Sequence, residues 1–154
     1  MLPRNYPGIT CSIARTLEVV GERWTLLVVR NALTGMTRFE HFQQSLGIAP
    51  NVLTDRLGRL TEAGVLTQRK YQDRPERFEY VPTDKGRALW PVLAAMIAWG
   101  DAHYPLPAGA PKLLLHDECG GRIAAQLVCT SCGTAVEPNA VTAVDGPGAP
   151  ALQR

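Results

Sequence analysis

No stretch of this sequence stays apolar for the roughly 18 residues that a membrane-spanning helix needs, so a membrane partner is not expected. No cationic segment followed by an apolar one opens the chain either, and the expectation is a soluble, cytoplasmic protein. Charge of one sign is scarcely in excess: 16 Lys and Arg face 14 Asp and Glu, and a net charge of +2 does not by itself imply nucleic acid. Histidine is sparse at 3 residues, and no paired carboxylates, nucleophile elbow or phosphate-cradling glycine loop occurs, so an enzyme is not expected. Cysteine is sparse at 4 and unevenly placed, with Cys11 alone and Cys119, Cys129 and Cys132 within 14 residues. In a reducing compartment a close Cys/His cluster is more often a metal or redox site than a disulfide scaffold.

What is present suffices for one folded domain. Hydrophobic residues make up 45% of the 154, enough for a core. The basic excess lies in residues 1–111, which hold 13 Lys and Arg against 10 Asp and Glu, whereas residues 112–154 hold 3 against 4. Helical periodicity runs from residue 12 to about 46. Ile13, Leu17 and Val20 recur at i, i+4 and i+7 before a break at Gly21. Trp24, Leu27, Val28 and Leu33 stripe a second helix, and Phe39, Phe42 and Leu46 a short third one closed by Gly47. Pro50 suits the first position of a fourth helix, expected over residues 50–63, with Val52, Leu53, Leu57 and Leu60 inward. The period then falls to 2. Residues 65–71 and 78–81 read as two strands joined by a charged tip over residues 72–77. Thr83 is placed to cap one further helix, expected from Asp84 to Tyr104.

Helices, a Pro-started helix, a charged hairpin and a closing helix describe a winged helix-turn-helix. A helix that reads the major groove needs a narrow outward face of hydrogen-bonding side chains. The fourth helix offers Asn51, Thr54, Asp55, Arg56, Gly58 and Arg59. Asn pairs bidentately with adenine and Arg with guanine, while Asp55 either accepts from cytosine or orients an arginine. At the hairpin, Arg69, Lys70, Arg74 and Arg77 suit the phosphate backbone or the minor groove. Each feature alone also describes ordinary solvated surface; their order and spacing carry the reading.

The segment from Cys11 to Tyr104 resembles the HxlR-type family of winged-helix transcription regulators. The resemblance rests on Cys11–Leu17, Gly21-Glu22-Arg23-Trp24-Thr25-Leu26-Leu27, Arg38-Phe39-Glu40, Leu53-Thr54-Asp55-Arg56-Leu57, Leu60-Thr61-Glu62-Ala63-Gly64-Val65-Leu66 and Thr83–Leu89. It implies a homodimeric repressor or activator on a two-fold related operator, with double-stranded DNA as partner and the terminal helices as dimer interface. Three departures stand out: Ser12 where the family commonly has Pro, Ala49 where it has Ser, and the whole segment after Tyr104. Ala49 forgoes a helix cap worth about 1 kcal/mol. In several members the cysteine at the Cys11 position senses oxidants or electrophiles, which requires an exposed thiol of lowered pKa. Cys11 precedes a helix and has Arg15 one turn on, but a lone cysteine also packs as a small hydrophobe.

Beyond the family segment, residues 105–111 form a Pro-rich linker, residues 112–137 a cysteine module, and residues 138–154 an Ala/Gly/Pro-rich tail expected to be disordered. The winged helix-turn-helix is assigned to residues 10–104. In the module, His116-Asp117-Glu118-Cys119-Gly120 and Cys129-Thr130-Ser131-Cys132-Gly133 share one form: ligand, two residues, ligand, Gly. Two such knuckles supply the four ligands of a closed structural zinc site, with residues 122–128 expected as a strand between them. A redox dithiol at Cys129 and Cys132, a Cys119–Cys129 disulfide, or His116 as a bystander are the competing readings. The expected fold class is mainly α with a small β hairpin (α+β), a winged helix-turn-helix plus a small zinc-knuckle β module. The expected function is sequence-specific transcription regulation, responsive to a small-molecule or electrophile effector. The alternative is a zinc-ribbon adaptor for protein partners with only nonspecific affinity for DNA.

Overall fold

A computed structural model describes residues 6–149 of the chain, which divides into two units, Met1–Trp90 and Pro91–Arg154. In the first unit α1 (Ser12–Val20), α2 (Thr25–Leu33), α3 (Phe39–Leu46) and α4 (Pro50–Glu62) precede an antiparallel hairpin, β1 (Leu66–Asp73) and β2 (Glu76–Pro82), and the short helix α5 (Asp84–Arg87). Helix α6 (Trp90–His103) begins at the division, and the second unit adds two-residue strands β3 (Leu127–Val128) and β4 (Ala135–Val136). This is the α+β, winged helix-turn-helix class that the sequence predicts.

The first unit is organised around α4. Leu53, Leu57 and Leu60 recur on one face and are fully buried, together with Phe42 of α3, Val28 and Val29 of α2, and Val65 and Leu66 at the start of β1. Full burial of such a side chain contributes roughly 1.5–3 kcal/mol, so this leucine stripe is what fixes the rotation of α4 and sends its other face outward. Gly47 ends α3 in the left-handed conformation (φ +61°), Ile48 plugs the turn into the core, and Pro50 starts α4 at its first turn. The side chain of Ala49 caps nothing, in line with the departure seen in the sequence. Buried Asn31 is satisfied by donating to Ser45 Oγ (3.1 Å) and accepting from Arg30.

Four features differ from the sequence reading. The helix expected from Asp84 to Tyr104 is two helices, because Pro91 lacks the N–H that would continue the first and its ring clashes with the preceding turn; it starts α6 instead. Thr83 does cap α5, its hydroxyl accepting from Gly86 N (3.1 Å). The hairpin is longer than expected and its connection shorter: pairing continues to Asp73↔Glu76 across a bulge between Lys70 and Gln72, leaving Arg74 and Pro75 between the strands. Trp24 stands outside α2 with φ +78°, a left-handed conformation that costs a bulky residue roughly 1–2 kcal/mol. On α1 the core face is Ala14 and Val20, while Ile13 and Leu17 are exposed.

In the second unit, no strand runs through residues 122–128. Arg122 instead bridges back to Leu115, and Leu127–Val128 pairs forward with Ala135–Val136, so each half of the cysteine segment closes its own hairpin. In the tail, Pro138–Ala140 forms a 3-10 turn, and residues 150–154 lie outside the described residues.

Candidate nucleic-acid interface

The outward face of α4 carries Asn51, Thr54, Asp55, Gly58 and Arg59. Asn51, in the first turn, is exposed and has no side-chain hydrogen bond among the described residues, so its amide is free to pair. Thr54 returns its hydroxyl proton to Pro50 O (2.9 Å), leaving its oxygen able to accept. Arg59 lies along Asp55 at 3.1 Å, an i,i+4 pair on the surface. Such a pair contributes only about 0.3–0.5 kcal/mol, so Arg59 can leave it for a stronger acceptor.

Arg56 is different. Its side chain is 13% exposed, and it turns away from the outward face toward the α1–α2 connection. There Nη2 donates to Glu22 Oε2 (3.0 Å) and Nε to Arg23 O (3.1 Å), while Nη1 pairs with Asp55. This guanidinium is a clamp. It fastens the recognition helix to the segment in which Trp24 holds its left-handed conformation and Arg23 lies 5.4 Å over the Trp24 ring. Glu22, which the sequence reading left without a role, is Arg56's partner; both belong to stretches on which the family resemblance rests.

Along the hairpin the cations divide into paired and unpaired. Arg69 donates to Glu79 (2.7 Å), holding that carboxyl below its ordinary pKa with help from Thr37, and Lys70 pairs with Glu76 and, at 3.8 Å, with Asp73. Arg74 and Arg77 are exposed and make no ion pair among the described residues. Arg38 joins them from outside: its backbone forms an isolated β-bridge with Glu79, and its guanidinium lies 4.6 Å over the Tyr71 ring. Sequence reading gave Arg38 no role. Its position before α3 is remote from the hairpin in sequence, and the Tyr80 N–Thr37 O bond (2.7 Å) helps hold the two together.

Cys11 is the N-cap residue of α1 and half-buried. Its thiol pKa is lowered by the nearby backbone N–H groups of Ala14 and Ile13, which outweigh partial burial, and Arg15 acts in the same direction. In the cysteine segment His116 Nδ1 lies 3.3 Å from Cys119 Sγ, and hydrogen bonds from Thr134, with Cys129 beside it, lower the Cys132 thiol to about 7. The two pairs stand apart: among the described residues no three His, Cys, Asp or Glu side chains converge as a metal site would require.

The profile of the HxlR-like helix-turn-helix family matches residues 19–107. The chain belongs to this family. It is 42% identical over 137 residues, 89% of this chain and 87% of the other, to the uncharacterized HTH-type transcriptional regulator Rv3095 of Mycobacterium tuberculosis. A likeness of that length reaches past residue 104, so the C-terminal segment is shared with this relative. The crystal structure of PA1607, a transcription-factor candidate, matches 90% of this chain and 97% of its own at 34% identity with a TM-score of 0.79. The redox regulator HypR matches in its reduced form at 29% identity and a TM-score of 0.57, over 60% of this chain and 92% of its own, and in its oxidised form likewise at 0.57. This HxlR-like protein is therefore a transcriptional regulator with a helix-turn-helix DNA-binding fold, and its relatives are regulators rather than enzymes. No described helix is long and apolar enough to cross a membrane.

Proposed function

We propose that this regulator acts as a homodimeric repressor on a palindromic operator, reading bases with Asn51, Thr54 and Arg59 and gripping phosphates with Arg74 and Arg77. The observation that carries the reading is the division of cations. Arg59 is held only by an exchangeable surface pair, and Arg74 and Arg77 by none among the described residues, whereas Arg56 is committed to Glu22. Arg38 adds a further cation beside the hairpin. Support for a dimer comes from α1, where Ile13 is 70% exposed and Leu17 lies one turn away on the same face, an apolar surface that a second copy would cover. Two recognition helices related by a two-fold axis would enter successive major grooves about 34–36 Å apart.

The test is fluorescence anisotropy on the regulator's own upstream DNA and on a shuffled duplex, across a salt series. The expected result is a preference of roughly a thousandfold or more for the upstream DNA. Equal and steeply salt-dependent binding to both would leave only a nonspecific grip and favour the adaptor reading. A promoter fusion that rises when the gene is deleted would support repression.

A response to oxidants or electrophiles through Cys11 belongs to the same proposal. It is favoured by the amides of Ala14 and Ile13 that stabilise the Cys11 thiolate, and by the likeness to a redox regulator. Release of DNA on treatment with a thiol oxidant, absent in Cys11→Ser, would support it; release unchanged in the variant would remove Cys11 from the account.

A further inference from the structure

The cysteine segment poses a stability problem that its own side chains do not solve. Between residues 112 and 137 not one residue is buried; Leu115, Ile123, Leu127 and Val128 are all exposed, and each strand is two residues long. Segments of this size without an apolar core need a disulfide, a metal or a partner chain to hold a structure. Disulfides do not supply it, since Cys119, Cys129 and Cys132 are free thiols.

Yet the backbone is regular, and it is the same twice over. In the first loop Gly120 has φ +68° and donates its N–H to His116 O at 2.8 Å; in the second Gly133 has φ +71° and donates to Cys129 O at the same distance. Both glycines adopt a conformation that a residue with a Cβ would resist. Each loop also sits at the tip of a hairpin, closed by His116 N–Gly121 O (2.8 Å) in one and Cys129 N–Thr134 O (3.0 Å) in the other. In the first loop the side chains meet, His116 Nδ1 being 3.3 Å from Cys119 Sγ, and Gly121 N–H donates to that sulfur at 3.4 Å. An amide directed at a cysteine sulfur is the outer-shell contact that orients a metal-ligating side chain.

We infer that residues 112–137 fold around one zinc ion held by His116 and Cys119 from one loop and Cys129 and Cys132 from the other. One imidazole and three thiolates make the nitrogen–sulfur set that zinc accepts in closed tetrahedral sites, with no position left for a substrate. Ligation at about 2.0–2.3 Å requires the two loops to meet, and the ion is what brings them together; binding and folding of the segment are then one event. The site is structural and separate from DNA reading, so it stands or falls independently of the proposed function.

The test uses the full chain, purified under reducing conditions without chelator, with metal measured by mass spectrometry of the protein solution. One zinc per chain is expected. Cys119→Ser, Cys129→Ser, Cys132→Ser and His116→Ala are each expected to lower it several-fold, and Cys11→Ser to leave it unchanged. Circular dichroism of every variant checks that the helices remain. Substitution with Co2+ is expected to give the absorption of a tetrahedral thiolate site. Absence of stoichiometric zinc after anaerobic reconstitution, or zinc retained in full by the Cys129→Ser or Cys132→Ser chain, would overturn the inference. Full retention by His116→Ala alone would overturn the four-ligand assignment.

Discussion

Two arginines one turn apart on α4 are expected to fail in opposite ways. Arg56→Ala removes two hydrogen bonds from a side chain that is 13% exposed, to Glu22 Oε2 at 3.0 Å and to Arg23 O at 3.1 Å, as well as the contact with Asp55. Hydrogen bonds to charged groups contribute about 1.5–3 kcal/mol when shielded from water. Glu22 and Asp55 are 39% and 44% exposed, so water partly replaces what they lose, and pairs of that kind lie nearer 0.2–1 kcal/mol. Arg23 O, losing its charged donor, brings the net cost to about 2 kcal/mol. Each kcal/mol shifts the melting temperature of a 60–100-residue folding unit by about 4–8 °C, so Arg56→Ala should melt roughly 10 °C lower. Arg59→Ala breaks only an exposed i,i+4 pair and should melt within about 4 °C of the parent. Its loss should appear instead as roughly 1–3 kcal/mol in binding the specific sequence, with nonspecific DNA little affected. Thermal unfolding followed by circular dichroism, and anisotropy at a temperature where both variants are folded, separate the two. If Arg56→Ala melts like the parent and loses sequence preference while Arg59→Ala does the reverse, the clamp is misassigned and the two arginines exchange roles.

Three further outcomes are expected. Arg77→Ala should weaken binding to operator and shuffled duplex alike and reduce the slope of log affinity against log salt by about one, as loss of a phosphate contact requires; a loss confined to the operator would make Arg77 a base reader. The Cys11 thiol, its pKa lowered by the amides of Ala14 and Ile13, should keep its thiolate to lower pH than an ordinary cysteine. Its iodoacetamide labelling, read by peptide mass spectrometry, should therefore show a midpoint on the acid side of the free-thiol curve, and a superimposable curve would refute that environment. Gly86→Ala should destabilise the first unit by about 1–3 kcal/mol, because a Cβ there would overlap the Val65 carbonyl oxygen, backbone that has no rotamer to move; denaturant titration with an unchanged midpoint would refute this close approach.

What the sequence disclosed and what it hid follow from the range of the interactions involved. The α4 stripe of Leu53, Leu57 and Leu60 is legible because burial imposes a helical period, and that period alone turns Asn51, Thr54 and Arg59 outward. At about 100° per residue Arg56 projects between Val52 and Leu60, at the margin of the inward arc, so its place in the sequence reading beside Asn51, Thr54 and Arg59 comes from its residue type and not from the period. Its true direction depends on Glu22 and the Arg23 carbonyl, more than thirty residues away and placed by the turn at Trp24. Arg38 was hidden for the same reason, its neighbours Tyr71 and Glu79 lying on strands far along the chain. The break before α6 was hidden differently. Pro91 is in plain view, but an apolar run from Leu89 to Trp99 reads as continuous unless the missing N–H is counted. The two contributions to DNA binding therefore differ in how they are encoded. Which face is offered is written in local spacing, whereas which cations on that face remain free to bind is settled by long-range acceptors. Among the residues of α4 and the hairpin, a count of positive charge would have ranked Arg56, Arg69 and Lys70 equal to Arg77, although the first three are already held by carboxylates.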